Sequence, residues 1–173
     1  SEVEKLVREL EDVLRKIERK VRELSKDNKR VLDENKKRVE DVSRDNERAM
    51  REIEELRRKV DAKDIRERLK EIRDKNRRIN EESKRLLREL EKKNEKMLRE
   101  IEEDLRRLAD EARKKTRDEE LKKVLEDVKR EVEKLLEEIK RSLEEARKTV
   151  KESNDEIRES LERLEEKVRR IEK

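Results

Sequence analysis

The stretch Val39–Met50 reads VEDVSRDNERAM. Val39, Val42, Ala49 and Met50 fall at the three- and four-residue spacing of one helix face, yet Asn46, on the same face, is an amide where an aliphatic side chain is expected. The same replacement occurs earlier in the chain, where ELSKDNKRVL (Glu23–Leu32) carries Asn28.

The separation of Asn28 from Asn46 is the period of the whole chain. In the first third Val3, Val21 and Val39 align, as do Leu6, Leu24, Val42 and Val60, then Val13, Val31 and Ala49, then Leu14, Leu32 and Met50, always at that same separation. The middle third repeats Leu69, Leu87 and Leu105 and then Ile72, Leu90 and Leu108; the last third repeats Leu121, Ile139 and Ile157 and then Val132, Val150 and Val168. An 18-residue block makes about five turns of a 3.6-residue helix, so equivalent side chains return to one face without supercoiling. Nearly straight helices are expected. The apolar positions of one block span a stripe of about 100°, wide enough for two neighbouring helices.

Two breaks divide the pattern. Asp61 restarts it as a candidate N-cap, and Thr116–Glu119 has the T-x-x-E spacing of a capping box. Helices are expected over about 2–60, 62–114 and 117–172, each about 75 to 90 Å long. Connections this short force antiparallel neighbours. The expected fold is all-α: a single-chain antiparallel three-helix bundle forming one domain over residues 1–173.

Of the 173 residues, 62% are charged and none is aromatic, Gly, Pro, Cys or His, a composition that would signal disorder if its few hydrophobic residues were not periodic. Without Cys or His there is no thiol or imidazole chemistry, and no Glu-x-x-His pattern that would build a bundle metal site. No enzyme, cofactor or small-molecule substrate is expected. Lys and Arg (56) and Asp and Glu (52) interleave along every segment and no aromatic platform exists, which speaks against nucleic acid. No apolar run exceeds two residues, so no signal peptide or membrane span is expected either.

The asparagines occupy inward positions of the repeat: Leu10 gives way to Asn28 and Asn46, and Ile17 to Asn35 before Ile53. In an antiparallel hairpin facing residues share an index sum; Asn28 with Asn94 and Asn46 with Asn76 both give 122, twice the number of the first turn at residue 61. Ser25 and Ser43 precede the first-helix asparagines by three positions, and Ser142 and Ser160 recur one block apart in the third helix. Asn35, Asn80, Ser83, Thr149, Ser153 and Asn154 form a middle set whose grouping the sums do not fix: Asn76 with Asn154 gives 230, Asn94 with Ser142 gives 236. Solvated flank positions are the ordinary alternative for Asn and Ser in helices. A buried, unpaired amide costs about 1 to 3 kcal/mol, so polar residues at matched inward levels imply partners and a penalty on every wrong register.

An aliphatic 18-residue core repeat, a surface of Glu, Lys, Arg and Asp, and Asn and Ser at matched core levels together make the chain resemble de novo designed, parametrically generated helical bundles with buried hydrogen-bond networks. Natural spectrin-like repeats carry aromatic cores and irregular surfaces. The resemblance implies a scaffold with no natural substrate, cofactor or compartment. A monomer is expected; a homo-oligomer subunit, or a bundle that accepts a partner helix, is the alternative.

Overall fold

The computed structural model describes residues 2–57, 62–115 and 118–172. They form three helices, α1 (Glu2–Leu56), α2 (Ala62–Lys115) and α3 (Glu119–Glu172), and the described residues contain no strand. Helix runs of this length need a sequence free of Gly and Pro, whose interior cost is about 1 and 3 kcal/mol per residue. Acidic groups sit in each first turn (Glu2 and Glu4, Asp64, Glu119 and Glu120), and α3 ends on Arg169 and Arg170, all favourable to the helix dipole. The N-terminus of α3 is capped by Asp118, whose Oδ1 accepts the backbone N–H of Glu120 at 2.9 Å. Asp61 and Thr116, the caps expected from sequence, lie outside the described residues.

Pairings between helices give the topology. Arg38–Glu82, Asn46–Asn76 and Glu52–Arg68 run in opposite index directions, so α1 and α2 are antiparallel. Asn46–Ser160 and Glu54–Lys167 rise together, so α1 and α3 are parallel.

The chain divides into two compact units, each taking a part of all three helices. Residues 1–29 and 89–145 form the first, around Leu10, Ile17, Leu24, Ile101, Val132 and Ile139. Residues 30–88 and 146–173 form the second, where Ala49, Ile53, Ile65, Leu69, Leu164 and Val168 make one cluster and Val39, Val42, Ile79 and Ile157 another. Burying one such Leu, Ile or Val contributes about 1.5 to 3 kcal/mol, and periodicity lets few residues supply the core. Among the described residues no large hydrophobic side chain is exposed. The outer faces carry ion pairs at three- and four-residue spacing, such as Asp74–Arg77 at 3.0 Å and Glu166–Arg170 at 3.1 Å. Exposed pairs of this kind are each worth about 0 to 1 kcal/mol.

Candidate functional site: buried amide layers

The polar residues inside the core are Asn28, Asn35, Asn46, Asn76, Ser83, Asn94 and Ser160, all buried. The most complete group lies in the second unit. Asn46 donates from Nδ2 to Asn76 Oδ1 at 2.8 Å and to Ser160 Oγ at 2.8 Å. Asn76 Nδ2 returns a hydrogen bond to Asn46 Oδ1 at 2.8 Å and gives its other to the Ile72 carbonyl at 2.7 Å. Ser160 Oγ donates to the Ile157 carbonyl at 3.0 Å. Every amide N–H and the hydroxyl of the three side chains therefore has an acceptor, which removes the desolvation penalty of burying them. Each helix contributes one member.

In the first unit Asn28 donates to Asn94 Oδ1 at 2.8 Å, Asn94 returns a bond to Asn28 Oδ1 at 3.1 Å and gives a second to the Leu90 carbonyl at 2.6 Å. Ser142 stands as far along the chain from Asn28 as Ser160 does from Asn46, but it is half-buried and makes no hydrogen bond to the pair among the described residues. The third layer is Asn35 with Ser83, whose hydroxyl donates to Asn35 Oδ1 at 2.8 Å.

The remaining polar residues singled out by sequence sit differently. Ser25 is exposed and Ser43 half-buried: three positions back from an inward asparagine turns a side chain about 60° around the helix, out of the seam. Asn80, Thr149, Ser153 and Asn154 are half-buried and make no hydrogen bond to Asn35 or Ser83 among the described residues. The Oδ1 of Asn154 is nonetheless buried, and among the described residues it has no hydrogen-bond partner.

Two ion pairs beside the layers are part of the arrangement and absent from the sequence reading. Asp45 pairs with Lys75, one position before Asn46 and Asn76, and Asp27 pairs with Lys93 at 2.9 Å, one position before Asn28 and Asn94. The signal is the Asp-Asn dipeptide of α1 facing the Lys-Asn dipeptide of α2, both recurring with the period of the core. The hydrogen bond from Lys75, with the charges of Lys75, Arg48 and Arg68, holds the Asp45 carboxyl below the usual carboxylate range against the opposing effect of burial.

Among the described residues no group of three or more Asp or Glu is placed to hold a metal ion, and no helix is long and apolar enough to cross a membrane. The packing defines an all-α three-helix bundle. Among solved structures the chain is similar to one described as a computationally designed three helix bundle, with 20% sequence identity over 98% of this chain and 87% of that chain and a TM-score of 0.50. At that identity the likeness concerns the fold. No family model matches the chain, and no curated protein matches it significantly.

Proposed function

We propose that the chain is a designed structural scaffold, one monomeric bundle domain over residues 1–173 without catalytic activity or cofactor, whose buried Asn and Ser layers specify which helix faces pair and in which register. The observation that carries this reading is the Asn46–Asn76–Ser160 group, in which three helices each commit one polar side chain to a fully paired layer. Support comes also from the similar solved structure being itself a designed three-helix bundle.

The layers divide the work unequally. Sliding α2 by one block of the repeat against α1 brings Asn46 opposite Asn94, and sliding it the other way brings Asn28 opposite Asn76, so an amide pair survives either slip. The Asn35–Ser83 layer has no such equivalent: one block to either side stand Ile17 and Ile53 in α1, and Ile65 and Ile101 in α2. Either slip sets Asn35 and Ser83 against isoleucines, stranding two buried polar groups at about 1 to 3 kcal/mol each. Each slip also leaves one amide of each helix without its partner, as when Asn28 comes opposite Ala112 or Asn94 opposite Leu10, so the Asn35–Ser83 layer, which keeps no pair at all, adds to a penalty that the asparagine layers already impose.

Light scattering on a sizing column tests the scaffold reading. The chain is expected to elute at its single-chain mass of 21.4 kDa. A variant with Asn46, Asn76 and Ser160 all made aliphatic is expected to yield mixed masses. A native mass of two or three chains at all concentrations would overturn the monomeric scaffold.

A further inference from the structure

Along α2 and α3 in the second unit runs a groove of about 530 Å³ that the scaffold role does not require. Its apolar floor is Leu87, Val150, Ile157 and Leu161, with the amides of Asn80 and Asn154 between them. Its rim carries six cations, Arg73, Arg77, Lys84, Arg147, Lys151 and Arg158, against one acid, Asp155. Asn154 lines this groove, while its Oδ1 is buried beneath it without a partner among the described residues.

The repeat supplies an internal control. One block away, at the equivalent positions of the same two helices, Asn80 becomes Leu98 and Asn154 becomes Leu136, both packed in the core of the first unit. There the rim cations Arg73, Arg77, Lys84 and Lys151 become Glu91, Glu95, Glu102 and Glu133, while Asp155 becomes Glu137 and only Lys129 and Lys140 remain basic. The floor residues keep their aliphatic character as Leu105, Val132, Ile139 and Leu143. The second unit therefore departs from its own repeat in two ways at one place: leucines are replaced by asparagines and the rim changes sign.

We propose that this groove, which Asn76 of the register layer also lines, is a docking site for an acidic amphipathic helix, a use beyond the scaffold role. From Arg73 to Leu87, and from Arg147 to Leu161, the groove follows about four turns of each helix, roughly 21 Å, the length of a four-turn helix. A leucine face lies on the aliphatic floor, flanking glutamates meet the two basic rims, and a central amide side chain meets Asn80 and Asn154. Arg73, Arg77 and Arg158 are engaged with Glu165, Asp74 and Asp155 at 3.2, 3.0 and 3.2 Å. The arginines of these pairs are solvent-exposed and exchange for an incoming carboxylate at little cost.

The probe is a fluorescently labelled peptide of about four helical turns with leucines along one face, a central glutamine on that face and glutamate elsewhere, titrated with the full chain at low salt and read by anisotropy. Saturable binding is expected, weakening as salt is added. It should fall at least tenfold in Asn80→Leu/Asn154→Leu, which restores the leucines of the equivalent block and remains helical by circular dichroism, and also in Lys84→Glu/Lys151→Glu, which leaves the floor intact. The same peptide with lysine in place of glutamate should not bind. Equal binding to the leucine variant, equal binding of the lysine peptide, or no saturation would overturn the proposal. So would displacement by millimolar inorganic phosphate alone, which marks a simple anion site, or a concentration-dependent dimer abolished by Asn80→Leu/Asn154→Leu, which marks a second copy as the occupant.

Discussion

Asn46 and Asn76 each give an amide N–H to the other's carbonyl oxygen, both at 2.8 Å, and their immediate neighbours Asp45 and Lys75 form an ion pair beside them. A paired amide inside the core thus lies next to a paired charge at its edge. Asn28 and Asn94 repeat the arrangement with Asp27 and Lys93. At both levels α1 and α2 recognise one another by a dipeptide on each.

Asn46→Leu is expected to cost about 1 to 3 kcal/mol, because it strands the Asn76 carbonyl in an apolar layer and removes a donor from Ser160. Converting Asn46, Asn76 and Ser160 together to aliphatics removes the stranded groups and should recover that stability. Urea denaturation of the single and combined variants measures the coupling; strictly additive, neutral changes would place these side chains outside the stabilising network.

Asn154→Leu should stabilise the chain. It deletes a buried oxygen that lacks a partner among the described residues and installs the leucine found at the equivalent Leu136. A gain of about 1 kcal/mol in urea denaturation is expected, and a loss would mean that the amide is satisfied in solution.

Asp118→Ala removes the side chain that accepts the Glu120 N–H, at an expected cost of about 1 kcal/mol. Faster hydrogen exchange confined to the first turn of α3 should accompany it. Unchanged exchange there would assign the cap to another residue.

The pH response follows from Asp45. Its folded carboxyl is depressed by Lys75, so the folded state favours the ionised form: the stabilisation is present above the unfolded carboxylate pKa of about 3.9 and is lost as pH falls through the lower folded value. Stability should be flat between pH 6 and 8, where the absence of His leaves no side chain with an ordinary pKa in range. Lys75→Met should flatten the Asp45 part of the acid limb; an identical limb in that variant would assign the effect elsewhere.

The helices are legible in the sequence because the three- and four-residue spacing inside each 18-residue block mixes odd and even positions, which a helix keeps on one face and a strand does not. Asn28, Asn46, Asn76 and Asn94 lie at levels readable by index sums because antiparallel neighbours joined at one short break share a constant sum. Ser160 is harder to assign, since its level against Asn46 depends on the length of α2 and both connections. Ser25 shows the limit of spacing alone: it shares a motif with Asn28 and sits about 60° away, in solvent. The basic rim along α2 and α3 is hidden because charges average out along each segment and separate in sign only when sorted by face and by repeat. The Asp118 cap competes with Thr116 in a stretch where both Thr-x-x-Glu and Asp-Glu-Glu are reasonable helix starts.

Whether polar layers choose the register is decided by Asn35→Ile/Ser83→Ile, which restores the residue types of the equivalent blocks. Spin labels at Arg38→Cys and Glu82→Cys, an exposed facing pair in a chain without native Cys, report the α1–α2 register as a distance distribution. The labelled chain with Asn35 and Ser83 intact is expected to give one population. The isoleucine variant is expected to be at least as stable; with Asn28→Leu and Asn76→Leu added, so that the slip pairing Asn46 with Asn94 strands no amide, it is expected to add a second population displaced by one block, about 27 Å along the helix, with some of it in dimers. A single, unchanged distance and a single-chain mass in the combined variant would contradict such a choice and leave the register to the short connections alone.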